Sequence, residues 1–218
     1  MFTGIIQEIG HVAGVARLGG GVHLSISAPA STQELHANDS VAVNGVCQTV
    51  VEKKGEIFRV EAVEETLAKT TLGELRLSAS VNIELPLRLN DRLGGHMVQG
   101  HVDTVGNVRT VVKKASSWLI SIGFPLEFRR YVIPVGSIAV DGVSLTVASL
   151  REDDFVVSII PHTLENTTLV HVTPGTRVNL EFDLIGKYIE NLVLSGAVKE
   201  GAVSQLTSGK LREWGYRI

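Results

Sequence analysis

The chain holds one cysteine in 218 residues, and phenylalanine, tryptophan and tyrosine together make up only 5%. A single cysteine builds neither a disulfide framework nor a cysteine zinc site. Nothing approaches the roughly 18 uninterrupted apolar residues of a membrane-spanning helix. The opening MFTGIIQEIG lacks the basic start and long apolar run of a secretory signal. One-signed charge is scarce too: the net charge of −3 comes without the basic footprint that binders of nucleic acid or anionic membranes need. The glycines form no G-x-G-x-x-G after a strand and no P-loop, and there is no G-x-S-x-G elbow. What is present is 44% hydrophobic residues, enough for a packed core, in a length that allows one large domain or two small ones. The expectation is a cytoplasmic globular protein with no nucleic-acid or membrane partner.

An internal repeat organises the chain. SVAVNGVCQTV (40–50) and SIAVDGVSLTV (137–147) agree at seven of eleven positions, at an offset of 97. At the same offset TLAKTTL (66–72) meets TLENTTL (163–169), and VNIE (81–84) meets VNLE (178–181). Nearer the start of each half the offset is 96, with IGHV (9–12) on VGNV (105–108) and Pro29 on Pro125. Blocks in one order at one spacing mark a tandem duplication.

Each half, at roughly 95 residues, is long enough for its own core. GVHLSISAP, SVAVNGV, EIFRVEAV and SVNIELPL read as short alternating strands, repeated as WLISIGFP, SIAVDGV, FVVSIIP and RVNLEFDL. Six or so strands per half predict a small closed barrel, because closure removes exposed edges. The turn-rich LNDRLGG run places the boundary near Leu89–Gly95, giving domains 1–93 and 94–184. Two helical signals interrupt: EETLAKTTL with its copy PHTLENTTL, and a stretch from Leu184 to about Val198. The latter aligns Ile185, Ile189 and Leu192 on one face. That stripe (helix 185–198) fits either packing on its own barrel or an oligomer seam. Residues 199–218 lack periodicity and are expected to be a mobile tail.

The copies differ where chemistry would sit. Cys47 corresponds to Ser144, Asn44 to Asp141 and Gln48 to Leu145, whereas Ser40 and Thr49 recur as Ser137 and Thr146. Two like pockets with unlike polar groups suit a protein that holds two similar molecules and treats them differently. Taken singly, a lone cysteine is more often a small hydrophobe and the threonines ordinary strand residues. In GGHMVQGH (94–101), His96 and His101 stand five apart, on neither one helix face nor one strand face, and no third ligand completes a metal site. His101, next to Gly100, is a candidate proton carrier, with local hydrogen bonding as the plainer role.

MFTGIIQEIG, SVAVNGVCQTV, EETLAKTTLG, GGHMVQGHVD, SIAVDGVSLTV and IPHTLENTTL together resemble the riboflavin synthase family, alpha-chain type, in unbroken order from residue 1 to about 197. The resemblance implies an all-β fold: two similar six-stranded Greek-key β-barrels plus a C-terminal helix, assembled as a homotrimer. It implies cofactor-free dismutation of two 6,7-dimethyl-8-ribityllumazine molecules, with sites between the first barrel of one subunit and the second barrel of the next. Association with a lumazine synthase capsid stays open. Carried over by motif, the first-barrel pocket takes Gly4, Ile5 and Ile6, then Cys47, Gln48 and Thr49, then Glu61, Ala62, Val63, Glu64, Glu65 and Thr66. The second-barrel pocket takes Gly100, His101 and Val102, then Ser144, Leu145 and Thr146, then Ser158, Ile159, Ile160, Pro161, His162 and Thr163. His101 is expected to transfer protons, and Cys47 and Ser40 to assist the acceptor. Asp141, Ser144, Thr146 and Asp183 would hold the second-barrel ligand, and Phe2 and Thr3 match the family's segment that covers the site.

The chain departs from the family at Val135, where a lysine is common, and at Gln48, where leucine is usual. Two other readings compete: a non-catalytic lumazine-binding antenna protein of the same fold, which His96, His101 and Cys47 argue against, and a barrel scaffold with filled pockets.

Overall fold

In the computed structural model, which describes residues 1–195 and 212, residues 1–184 form one unit and a second begins at Ile185. The expected tail (199–218, residue 212 apart) and the end of the expected helix (196–198) lie outside the described residues.

The first half is a closed barrel of β1 Glu8–Leu18, β2 Gly21–Ser27, β3 Ser40–Val43, β4 Val46–Lys54, β5 Ile57–Ala62 and β6 Ser80–Glu84, in the spatial order β1-β2-β5-β4-β3-β6. The second half repeats that order around the ring with β7 Thr104–Lys113, β8 Trp118–Gly123, β9 Ser137–Val140, β10 Val143–Leu150, β11 Asp154–Ile159 and β12 Arg177–Phe182. Every pairing is antiparallel, and the jump from β2 to β5 and from β3 to β6 around the ring makes each barrel a Greek key. Both barrels shift register at matching places, after Val12 and Val50 and after Val108 and Val147. An extra residue there bends and twists the strand, which helps so short a sheet to close.

Alternation decides the lining. Val22, Leu24 and Ile26 of β2 and Phe58 and Val60 of β5 point into the first core, and Ile120, Ile122, Phe155 and Val157 into the second. The second core also gathers Phe124, Phe128, Tyr131 and Phe182, with Phe128 stacked on Phe182 at 5.2 Å.

The expected helical turns are α2 Glu64–Lys69 and α3 Pro161–Glu165, each followed by a 3-10 turn. Two elements went unforeseen, α1 Pro29–Glu34 and the 3-10 turn Leu126–Tyr131. One begins on and the other just after its half's copy of the repeated proline, and both are too short to show a helical period. The C-terminal helix is α4 Leu184–Leu194, with Ile185, Ile189 and Leu192 about half exposed.

The barrels meet across a pseudo-twofold seam of amides. Asn82 donates from Nδ2 to the Asp141 carbonyl and accepts at Oδ1 from the Thr168 N–H. Asn179 mirrors it, donating to the Asn44 carbonyl and accepting from the Thr71 N–H. The side chains of Asn44 and Asp141 accept in turn from the N–H groups of Asn82 and Asn179. Every partner is a backbone group that burial would otherwise strand, so the amides hold the barrels together without leaving orphans.

Candidate active site

Two segments cross from one barrel to the other at the pseudo-dyad. They meet at Phe2 and Val98, which exchange backbone hydrogen bonds at 2.7 and 3.1 Å. Phe2 is fully buried there with Val98, Ala42, Ala139 and Cys47, so it is a plug of the seam.

Each segment is pinned on both sides. The Thr3 N–H and Oγ1–H donate to Glu84 Oε1 at 2.6 and 2.7 Å, and the Gly4 N–H donates to Oε2 at 3.0 Å. The Gly4 carbonyl then accepts from the Ser144 N–H at 2.8 Å. In the second half, the Gln99 and Gly100 N–H groups donate to Glu181 Oε1 and Oε2 at 2.7 and 2.9 Å, and the Gly100 carbonyl accepts from the Cys47 N–H at 2.8 Å. Both glycines are obligatory. They sit at φ +77° and +81°, and a Cβ would fall 2.5 Å from that of Ser144 or 2.6 Å from that of Cys47.

This crossing corrects the grouping drawn from the motifs. Gly4, Ile5 and Ile6 belong with Ser144, and Ile6 packs on the second core. Gly100, His101 and Val102 belong with Cys47, and Val102 packs on the first core. The repeat offset tells which residues correspond, and the arms then exchange barrels.

The remaining residues divide between exposed positions on the strands and positions buried in or against the cores. In register, Ser40 pairs with Thr49, and Val50 opposite Val60 sets the exposed Thr49 and Glu61 on adjacent strands. Cys47, half-buried, pairs with Ala42 one step nearer the seam. Glu61, Ala62, Val63 and Glu64 line a cavity of about 230 Å3 with His23, and Glu65 and Thr66 continue into α2. The second barrel repeats the rows: Ser137 pairs with Thr146, Ala139 with Ser144, and Val147 opposite Val157 carries Ser158 alongside. Ile160 is exposed and Ile159 buried, and Pro161, His162 and Thr163 open α3. Leu145 packs on the second core, and Gln48 is buried with Oε1 unpartnered.

Polar chemistry differs between the mouths. The His101 ring is exposed and, among the described residues, forms no side-chain hydrogen bond. At the second mouth, His96 Nδ1 lies 2.8 Å from Ser144 Oγ, while its buried Nε2 has no partner. Burial pushes the His96 imidazole below its usual range, against the pull of Asp183, so the ring is neutral at pH 7. Burial also pushes the Glu84 carboxyl up, opposed by the donors of Thr3, Gly4 and Ile5. The His96–Ser144 contact went unforeseen, because 48 residues separate the pair and His96 has no copy in the repeat. Asp141, expected beside the second-barrel ligand, is instead buried in the seam. It accepts there from the Asn179 N–H and lines a cavity of about 370 Å3 with Thr71 and Thr168.

Two small barrels that lend each other a backbone segment, each with a corresponding row of polar side chains beside it, define a tandem of like domains. Residues 3–86 and 99–183 match the lumazine binding domain family. The riboflavin synthase of Actinobacillus pleuropneumoniae is 40% identical over 216 residues, 99% of this chain and 100% of that protein. That of Mycobacterium bovis is 46% identical over 200 residues (89% and 99%), and that of Bacillus subtilis 36% over 216 (99% and 100%). The chain belongs to the riboflavin synthase family, a family of transferases. Among solved structures, LumP complexed with riboflavin has a TM-score of 0.79 at 22% identity, covering 84% of this chain and 99% of that one. LumP complexed with 6,7-dimethyl-8-(1'-D-ribityl) lumazine has a TM-score of 0.76 at 22% identity, covering 83% and 98%. At that identity the likeness is one of fold.

Proposed function

We propose that the chain converts two molecules of 6,7-dimethyl-8-ribityllumazine into riboflavin and 5-amino-6-(ribitylamino)uracil by four-carbon transfer, in the cytoplasm, without a cofactor. The observation that carries this is the pair of corresponding but unequal groups of polar residues beside the crossing segments. Cys47, Ser40, Thr49 and His101 stand at one, and Ser144, Thr146 and His96 at the other.

The lumazine ring is itself an electron sink, so loss of a proton from its 7-methyl group leaves a delocalised carbanion. That carbanion attacks the second lumazine. His101, exposed at its pocket, takes and returns protons. Cys47 and Ser40 polarise the acceptor or place a water, and Ser144, Thr146 and Asp183 hold the ligand of the second barrel. Holding both rings in reacting geometry can supply on the order of 7–11 kcal/mol of the barrier.

Thr49 and His101 of one group and Thr146 of the other are exposed, so two rings come face to face when the first-barrel group meets the second-barrel group of another copy. The uncovered stripe of Ile185, Ile189 and Leu192 supports a homotrimer built on α4. A lumazine synthase capsid is a further partner to probe by co-sedimentation. The reaction is tested by mixing purified protein with the lumazine alone and following absorbance. One riboflavin should form for every two lumazines consumed, and sedimentation should give three chains per particle. Binding and fluorescence without riboflavin would overturn the reading in favour of an antenna protein.

A further inference from the structure

The acid–base group proposed for the first-barrel pocket is held by nothing through its own side chain. The His101 ring is exposed and, among the described residues, unbonded, so its place depends on the backbone around it. That backbone is tied on both flanks to one strand of the other barrel. Before it, Gln99 and Gly100 donate to the two oxygens of Glu181. After it, the Asp103 N–H donates to the Leu180 carbonyl at 2.9 Å, and Asp103 Oδ2 accepts from the Phe182 N–H at 2.8 Å. Only His101 and Val102 lie between these ties, and the Gly100 carbonyl fixes the height of the span over Cys47.

We propose that Glu181 is a positioning residue for His101, so that a side chain of the second barrel sets the proton carrier of the first. This rests on the reading of His101 given above. Glu181 is 3% exposed, and each carboxylate oxygen takes one of two successive N–H groups. A carboxylate accepts at both oxygens, whereas an amide accepts at one and donates at the other, so glutamine there turns an N–H against an N–H. The repeat contains its own control. Glu84 grips Thr3 and Gly4 in the same way, but the residue after Gly4 is Ile5, which carries no proton.

The test is Glu181→Gln, alone and combined with His101→Ala. Displacing a reacting group by about 1 Å costs on the order of 10²-fold, so E181Q should lower kcat by about 10- to 100-fold with KM changed less than threefold. The kcat–pH limb belonging to His101 should move, and the double variant should be no slower than His101→Ala alone, because Glu181 acts through that ring. A folded E181Q with wild-type kcat and pH profile would overturn the proposal, as would losses that add in the double variant. If E181Q does not fold, Glu181→Asp replaces it; the shorter carboxylate reaches one N–H and should show the same kcat-selective loss. NMR titration of the His101 ring separates this proposal from the reading beneath it. Should the wild type make no riboflavin, the catalytic reading fails, while an unchanged ring shift and titration in E181Q would still overturn the positioning claim by itself.

Discussion

At the first mouth a half-buried thiol, Cys47, lies under the backbone of Gly100, and the ring of the next residue, His101, stands in solvent. At the second mouth a hydroxyl, Ser144, lies under Gly4, the next residue is Ile5, and the imidazole is His96, buried against that hydroxyl. Backbone, glycine conformation and carboxylate clamp are the same; the ionisable ring has moved from an exposed to a buried position. Burial lowers the pKa of the His96 imidazole and leaves it a fixed hydrogen-bond partner of Ser144, whereas the His101 ring is open to solvent. Duplication supplied two equal cradles, and a few side chains left one with an exposed imidazole and the other with a buried one.

The sharpest way to break that comparison is to remove each ring. His101→Ala should slow turnover by on the order of 10²–10⁴-fold, the usual range for a general acid–base group, in steady-state assays. His96→Ala should act mainly on ligand affinity, with the smaller effect on kcat. Equal losses in kcat would mean that both mouths do chemistry, and near-normal turnover of a folded His101→Ala would remove it from the proton transfer.

The seam holds the second contrast. Asn44 and Asp141 correspond, yet only Asp141 titrates, and burial pushes its carboxyl up to about 7. Below about pH 4 folded and unfolded chains both hold this proton. Between about 4 and 7 only the folded chain does, so stability falls as pH rises through that window and levels off above it. Asp141→Asn makes the seam symmetric and removes the penalty, while Glu74, Arg76, His171 and Arg177 in the same cavity are unchanged. The rise from 3.8 to about 7, at about 1.4 kcal/mol per pH unit, sets an upper limit of about 4 kcal/mol on the gain. Chemical denaturation at pH 4 and pH 8 should show the variants converging at the acid end and the Asn form more stable at the other. A gap that widened toward acid would reverse the assignment.

Asn82 and Asn179 test whether the seam is as even as it looks. Truncating either to alanine strands one buried N–H and one buried carbonyl in the opposite barrel. Each should cost about 2–3 kcal/mol, at roughly 1 kcal/mol or more per orphaned group, read as the urea midpoint. Unequal costs would show that one barrel leans on the other.

Much of this could be read in advance. Period-two runs such as GVHLSIS and turns such as Asn44-Gly45 marked strands, and the repeat made two barrels of them. Closure of each half into a six-stranded barrel agrees with that reading. The exchange of Gly4–Ile6 and Gly100–Val102 between barrels could not be read, because a repeat relates residues by correspondence and carries nothing about contact. Glu84 and Glu181 escaped for a related reason. They stand at or next to the ends of β6 and β12, where a carboxylate looks like a solvent-facing residue, and only the crossing segments make them buried acceptors.

The smallest predicted effect isolates one side chain on a shared backbone. Asn38 and Val135 correspond, and both sit in the left-handed region, at φ +74° and +63°. Their hydrogen bonds match: the Asn38 N–H donates to Val50 as the Val135 N–H donates to Val147, at 2.8 and 2.9 Å, and the carbonyl of the following residue takes the return bond in each. Asparagine tolerates that conformation; a β-branched residue crowds its own backbone there and costs about 1 kcal/mol or more. Val135 is 81% exposed, so its side chain recovers little of that by burial within the chain. Val135→Asn should therefore stabilise by about 1 kcal/mol, a rise in Tm of about 2–4 °C for a chain of this size. The reciprocal Asn38→Val should lose a similar amount. A fall in Tm for Val135→Asn would mean that valine is buried against another copy in the assembled protein, where an apolar surface outweighs the strain.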